Sequence, residues 1–161
     1  MSLEPIFAGI HLTDAGSLLM AAVHMVRTAK ASPLAPDVLD VAELGGPEDL
    51  GALGDFRKRY EPRRIVLCSG ADASARSVWR IEGAAKALGW RVAVVAARDV
   101  VAEGRATESN ASTRYAVDGV GELATLALAC GMSSGQWWRH GDRDGKAVAL
   151  LAALYAARNA V

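Results

Sequence analysis

Three strand-like segments come before the first helix, and that order constrains the fold more than any other feature. Ile6–Leu12 and Ser17–Val26 are apolar and β-compatible, with the turn-forming Thr13–Gly16 (TDAG) between them. Two apolar runs joined by a short Gly-containing turn predict a β-hairpin. After a polar, Pro-containing connection at Thr28–Pro36, Val38–Leu44 alternates as a third, half-exposed strand.

From there the chain alternates helix and strand. Gly45-Gly46-Pro47-Glu48-Asp49 reads as a helix start, since Pro suits the first helical position and acids suit the positive end of the dipole. Leu50, Leu53, Phe56 and Tyr60 continue it, and Pro62 ends it. Arg64–Ser69 and Arg91–Ala97 are short apolar runs of the kind buried on both faces. The helix between them takes Asp72 or Ser74 as cap, buries Val78, Ile81, Ala85 and Leu88, and closes at Gly89. Residues 99–112 read as a polar loop and 113–130 as a helix. Ser133–Asp144 reads as a loop holding Trp137 and Trp138, and an Ala/Leu helix runs from Gly145 or Lys146 to Asn159. Three strands followed by alternation exclude a doubly wound sheet. They predict a mixed five-stranded sheet, three strands antiparallel and the rest parallel, flanked by helices in an α/β domain.

The chain has 161 residues, enough for one domain with a real core, and residues 1–161 read as that single domain. No apolar run is long enough to span a bilayer. The opening MSLEPIFAGI carries Glu4 and no basic stretch, so it does not read as a secretory signal. Cys68 and Cys130 cannot build a disulfide framework, and the expected compartment is the cytoplasm. The formal net charge is zero, which excludes a strong non-specific polyanion binder. That total hides a division: residues 1–55 hold 2 basic and 8 acidic residues, and residues 56–105 hold 11 basic and 5 acidic.

The element order is that of the ribonuclease H-like fold, and several stretches resemble the RuvC Holliday-junction resolvase branch. FAGIHLTDAG is similar to that family's first strand and G-I-D-P-G-type turn. Glu61-Pro62-Arg63-Arg64-Ile65-Val66-Leu67 resembles its helix end and fourth strand. ARSVWRIEGAAKALGWRVAVVAARDVVAEGRAT resembles its central helix, fifth strand and G-R-A-type loop. GDRDGKAVALLAAL resembles the last helix, which in the family opens with D-x-x-D.

The resemblance implies two-metal phosphodiester hydrolysis, in which carboxylates hold two divalent ions about 4 Å apart. Such ions, Mg or Mn, need hard oxygen ligands. Carried over position by position, the first-strand aspartate falls on His11, and the glutamate after the fourth strand falls on Cys68 or Ser69. The last-helix pair falls on Arg143 and Lys146, with Asp142 and Asp144 flanking Arg143. The expected site is therefore degenerate, with no resident cofactor.

Other combinations remain open at this point. His11, Cys68 and Asp142 or Asp144 could form a nucleophilic group or a zinc site, against which stands an inert buried thiol. His24 and His140 have no local partner at ligand spacing. Asp142 and Asp144 also suit helix capping. Arg76, Arg80, Arg105 and Lys146 are candidate phosphate contacts, and Trp137 and Trp138 candidate stacking groups or loop packing. The leading expectation is a catalytically degenerate relative, homodimeric as the resemblance implies, that binds branched or structured DNA or a partner protein. The alternatives are an active nuclease using Asp14, Glu43, Asp142 and Asp144 with Mg or Mn, and an assembly module outside nucleic-acid biology.

Overall fold

The computed structural model of the chain describes residues 6–13, 16–26, 35–44, 51–62, 64–70, 74–107, 122–132, 134–139 and 141–159. β1 (Ile6–Leu12) and β2 (Leu18–Val26) form the expected antiparallel hairpin. Its turn is closed by Thr13 N–H on Ser17 O at 2.9 Å and Gly16 N–H on Thr13 O at 3.0 Å. Gly16 has φ +88, a left-handed conformation that a residue without Cβ adopts freely. β3 (Ala35–Leu44) pairs antiparallel with β2 through a register shift at Ala22/Val23. It begins earlier than the alternation of Val38–Leu44 suggests, because Pro36 and Asp37 still pair with Met25 and His24.

β4 (Arg64–Ser69) lies parallel to β1, and β5 (Val92–Ala96) parallel to β4. The sheet order is β3-β2-β1-β4-β5, so β1 is central. This is the mixed five-stranded α/β sheet that the element order requires.

Alternation along the strands splits the core into two layers. Ala8, Ile10 and Leu12, with Ile65 and Leu67, face α1 (Gly51–Tyr60) and α2 (Ala75–Ala87) through Leu53, Phe56, Ile81 and Ala85. Phe7, Val66 and Cys68 face α3 (Ala97–Thr107), α4 (Glu122–Ala129) and α5 (Arg143–Arg158). Ser74 caps α2 by accepting Ser77 N–H at 3.4 Å, and Gly89 follows its end with φ +85. No helix among the described residues is long and apolar enough to cross a membrane.

Two local expectations need correction. Residues 99–107 are not a loop but belong to α3. Ala97, Val100, Val101 and Gly104 follow helical spacing toward the core, and the polar Arg98, Asp99 and Arg105 that suggest a loop are its solvent face. Ser134–Arg139 is a 3-10 helix rather than a loop, and Arg143 and Asp144 already belong to α5. The Pro47 helix start, Asp72, His140 and residues 113–121 lie outside the described residues.

α5 lies directly on β1. A Cβ on Gly9 would strike the Ala149 carbonyl oxygen and stand 2.6 Å from Ala153 N and 2.8 Å from Ala152 Cβ. These atoms are backbone or the stub of an alanine, so none can swing aside. Gly9→Ala should cost about 3 kcal/mol or more by overpacking, read as a large fall in melting temperature. Gly83→Ala meets nothing within 4 Å, and should stabilise α2 by about 0.5–1 kcal/mol. Equal melting temperatures for the two variants would contradict this packing.

Candidate functional site

β1 and β4 are parallel neighbours, so both deliver their carboxyl ends to the same edge of the sheet. The first turn of α5 arrives over that edge, because the Gly9 contact fixes the helix on β1. The result is a cleft of about 230 Å³ lined by His11, Thr13, Gly70, Leu123, Asp142, Asp144, Gly145 and Val148. Gly70 N–H donates to Leu12 O at 3.0 Å, which ties the end of β4 to the end of β1 beneath the cleft.

His11 is 7% exposed and is the only buried polar or charged side chain among the described residues. Its neighbour across the ladder is Cys68, as expected from the paired strand positions. The two do not share the cleft, however. Cys68 is fully buried in the α5-side core, and burial pushes its thiol up to about 12. A free thiol that holds its proton at neutral pH is a poor nucleophile, because attack needs the thiolate. The expectation that Cys68 works with His11 is corrected on the ground that Cys68 is sealed in the core and does not line the cleft. Cys130 is also buried, and its Sγ lies 3.5 Å from Gly104 O.

Asp142 is the N-cap of α5. Its Oδ1 accepts Gly145 N–H at 3.0 Å, and its carbonyl accepts Lys146 N–H at 3.0 Å. Asp144 is exposed in the first turn. Both acids meet the positive end of the helix dipole, so the capping role is met while both carboxylates line the cleft. Gly145 makes room for this arrangement, since a Cβ there would lie 2.6 Å from Asp142 Oδ2 and 2.5 Å from Leu19 Cδ1.

Lys146 is not among the cleft-lining residues. Its Nζ stands 3.1 Å and Glu43 Oε2 3.5 Å from the place a Cβ of Gly141 would take, so both groups flank that glycine at the β3 side of the helix start. The acids proposed for a rearranged site do not all line the cleft among the described residues. Asp142 and Asp144 line the cleft, Glu43 is beside Gly141, and Asp14 is outside the described residues.

Divalent ions of the resolvase type fit this donor set poorly. The β1 position offers an imidazole, the β4 position a protonated thiol, and one Asp142 oxygen is occupied by the cap. Among the described residues, no group of three or more His, Cys, Asp or Glu is placed to hold a metal ion.

The basic and aromatic candidates separate. Arg76 and Arg80 are exposed on α2, on one layer of the sheet, while Arg105 is exposed in the last turn of α3 on the other. Arg105 is thus a helix residue rather than a loop residue. Trp137 is 6% exposed, and its indole N–H donates to Met132 O at 2.7 Å. It packs edge-on against half-buried Trp138, with ring centroids 5.7 Å apart. Burial removes the Trp137 ring from any base, so that candidate is corrected to a packing residue. Sequence reasoning passed over Trp79, which is 73% exposed on α2; its place beside Val78 and Ile81 in an apolar helix conceals it.

Among solved structures, the chain is similar to T. thermophilus RuvC in complex with a Holliday junction substrate. The TM-score is 0.59 and the identity 18%, covering 95% of each chain. An Aquifex aeolicus member of the Ppx/GppA protein family gives a TM-score of 0.42 at 11% identity, over 67% of this chain and 40% of that one. No protein-family model matches the sequence. No curated protein matches it either. The first similarity, with the sheet order, shows a ribonuclease H-like fold.

Burial of Cys68 predicts two measurable effects. The thiol should resist alkylation in the native state and react fully after unfolding. Its pKa is higher folded than unfolded, so its contribution is fully present below the unfolded value, near 9, and is lost as pH rises toward about 12. Cys68→Ala should therefore show a shallower loss of stability over that range. A steeper loss, or rapid native alkylation, would contradict the burial.

Proposed function

We propose that this chain binds branched or structured nucleic acid at the carboxyl-end cleft without cutting it. The observation that carries the reading is the mismatch between place and chemistry. The cleft lies at the ends of β1 and β4 and under the start of α5, yet the strand positions hold His11 and Cys68. The RuvC structure that shares the fold is a complex with a Holliday junction. Arg76 and Arg80, four residues apart on α2, supply positive charge at the helix that leaves the end of β4. The binding unit in this reading is a homodimer, whose two-fold symmetry suits a branched duplex.

Two carboxylates in the cleft favour one rival reading, a residual metal-dependent nuclease built on Asp142 and Asp144. One experiment separates the readings. A labelled four-way junction is titrated with protein across a salt series, with Mg²⁺ or Mn²⁺ present. The expected result is a mobility shift whose affinity falls steeply as salt rises, with no cleavage product. Arg76→Ala and Arg80→Ala should each weaken binding and lower the salt slope by about 1. Cleavage that disappears in Asp144→Asn would establish the nuclease. Absence of any salt-sensitive shift would leave an assembly module that kept only the fold.

A further inference from the structure

We infer that Trp79 on α2, with Arg76 and Arg80, forms a stacking site for an unpaired base of nucleic acid. The inference rests on the nucleic-acid reading above and adds to it a second contact outside the cleft. Trp90 and Trp137 are 8% and 6% exposed, whereas Trp79 is 73% exposed. An indole is the largest apolar side chain, and one left in water on a rigid helix is a candidate contact surface.

Helix geometry fixes its company. Ile81 and Ala85 are buried toward the sheet, and Trp79, two residues before Ile81, lies about 200° around the helix from it. Arg76 is three residues before Trp79, so the two share a helix face, while Arg80, one residue after Trp79, is exposed about 100° further around the helix. Gly83, one turn beyond Trp79, has nothing within 4 Å of where its Cβ would be. The indole therefore has open space along the helix for a flat partner. α2 also begins five residues after Gly70 of the cleft.

A base with its phosphates matches this surface in both shape and charge: a planar π-face for the indole and anionic oxygens for two guanidinium groups. A second copy of the chain matches it less well. Two such faces would bring four arginines together. Among the described residues, the other large exposed apolar side chains, Leu39 and Val94, lie on β3 and β5, leaving one large exposed apolar group on α2. A stable protein interface needs about 1,200–2,000 Å².

The test measures anisotropy of labelled oligothymidine, a blunt duplex and a four-way junction with the wild-type protein and single variants. Trp79→Ala should weaken oligothymidine binding about tenfold or more and leave duplex binding and melting temperature unchanged. Trp79→Phe should restore most of the loss, because a phenyl ring still stacks. Arg76→Ala should weaken all three probes. Unchanged oligothymidine affinity in Trp79→Ala, with junction binding intact, overturns the stacking site and leaves the cleft reading standing. Conversion of a dimer to a monomer by Trp79→Ala, seen by light scattering, overturns it in favour of a self-interface. If the wild-type protein binds none of the probes, the cleft reading fails and the stacking site with it.

Discussion

The contact between Gly9 and the Ala149–Ala153 stretch of α5 governs the rest of the architecture. β1 is the central strand, and a helix can lie backbone to backbone on it only where the strand lacks a Cβ and the helix is lined with alanine. That closeness puts the first turn of α5 over the end of β1. It brings Asp142 and Asp144 to His11 and Thr13, and it buries nearly all of α5 from Gly145 to Ala156. The cleft is a consequence of this packing.

The cleft combines one imidazole with two carboxylates. Metal hydrolysis at this edge needs hard oxygen ligands converging from strand and helix. Here β1 contributes an imidazole, Cys68 of β4 stays in the core, and the helix start contributes a carboxylate committed to capping and another facing solvent. The local acids are offset by the helix dipole. They do not need a cation to justify their place.

Much of the fold was legible because strand signals were strong. β1 and β4 are continuous apolar runs between charges and glycines, the pattern of a buried strand; β5 reads the same way in sequence but is the edge strand, with Val94 46% exposed, so the expectation that it is buried on both faces is corrected. That His11 and Cys68 lie on adjacent strands was implied by the ribonuclease H-like resemblance, and the register pairs them directly. The division of labour was not implied: alternation shows that both point to the α5 side, but only the packing shows that His11 borders the cleft while Cys68 is sealed in the core. α3 was hidden because its polar solvent face dominates its sequence, and Gly104 looks like a loop residue although it makes room for Leu151, whose Cδ2 lies 3.0 Å from its Cβ position. Trp79 was hidden for the opposite reason, since an apolar residue within a helix reads as core until the helix is docked. Lys146 fell on a carboxylate position by alignment, yet its amine stands beside Gly141 and the residue is not among those that line the cleft.

The central claim is that this cleft is a binding surface in which nucleic acid contacts the ends of β1 and β4 and the start of α5. Hydrogen exchange of the protein with and without a four-way junction measures that most directly. The account predicts new protection at Thr13, Gly70 and the Gly141–Lys146 backbone, to the same extent with Mg²⁺ as with a chelator. Protection confined to other surfaces, or protection at the cleft that appears only with the divalent ion, would contradict it.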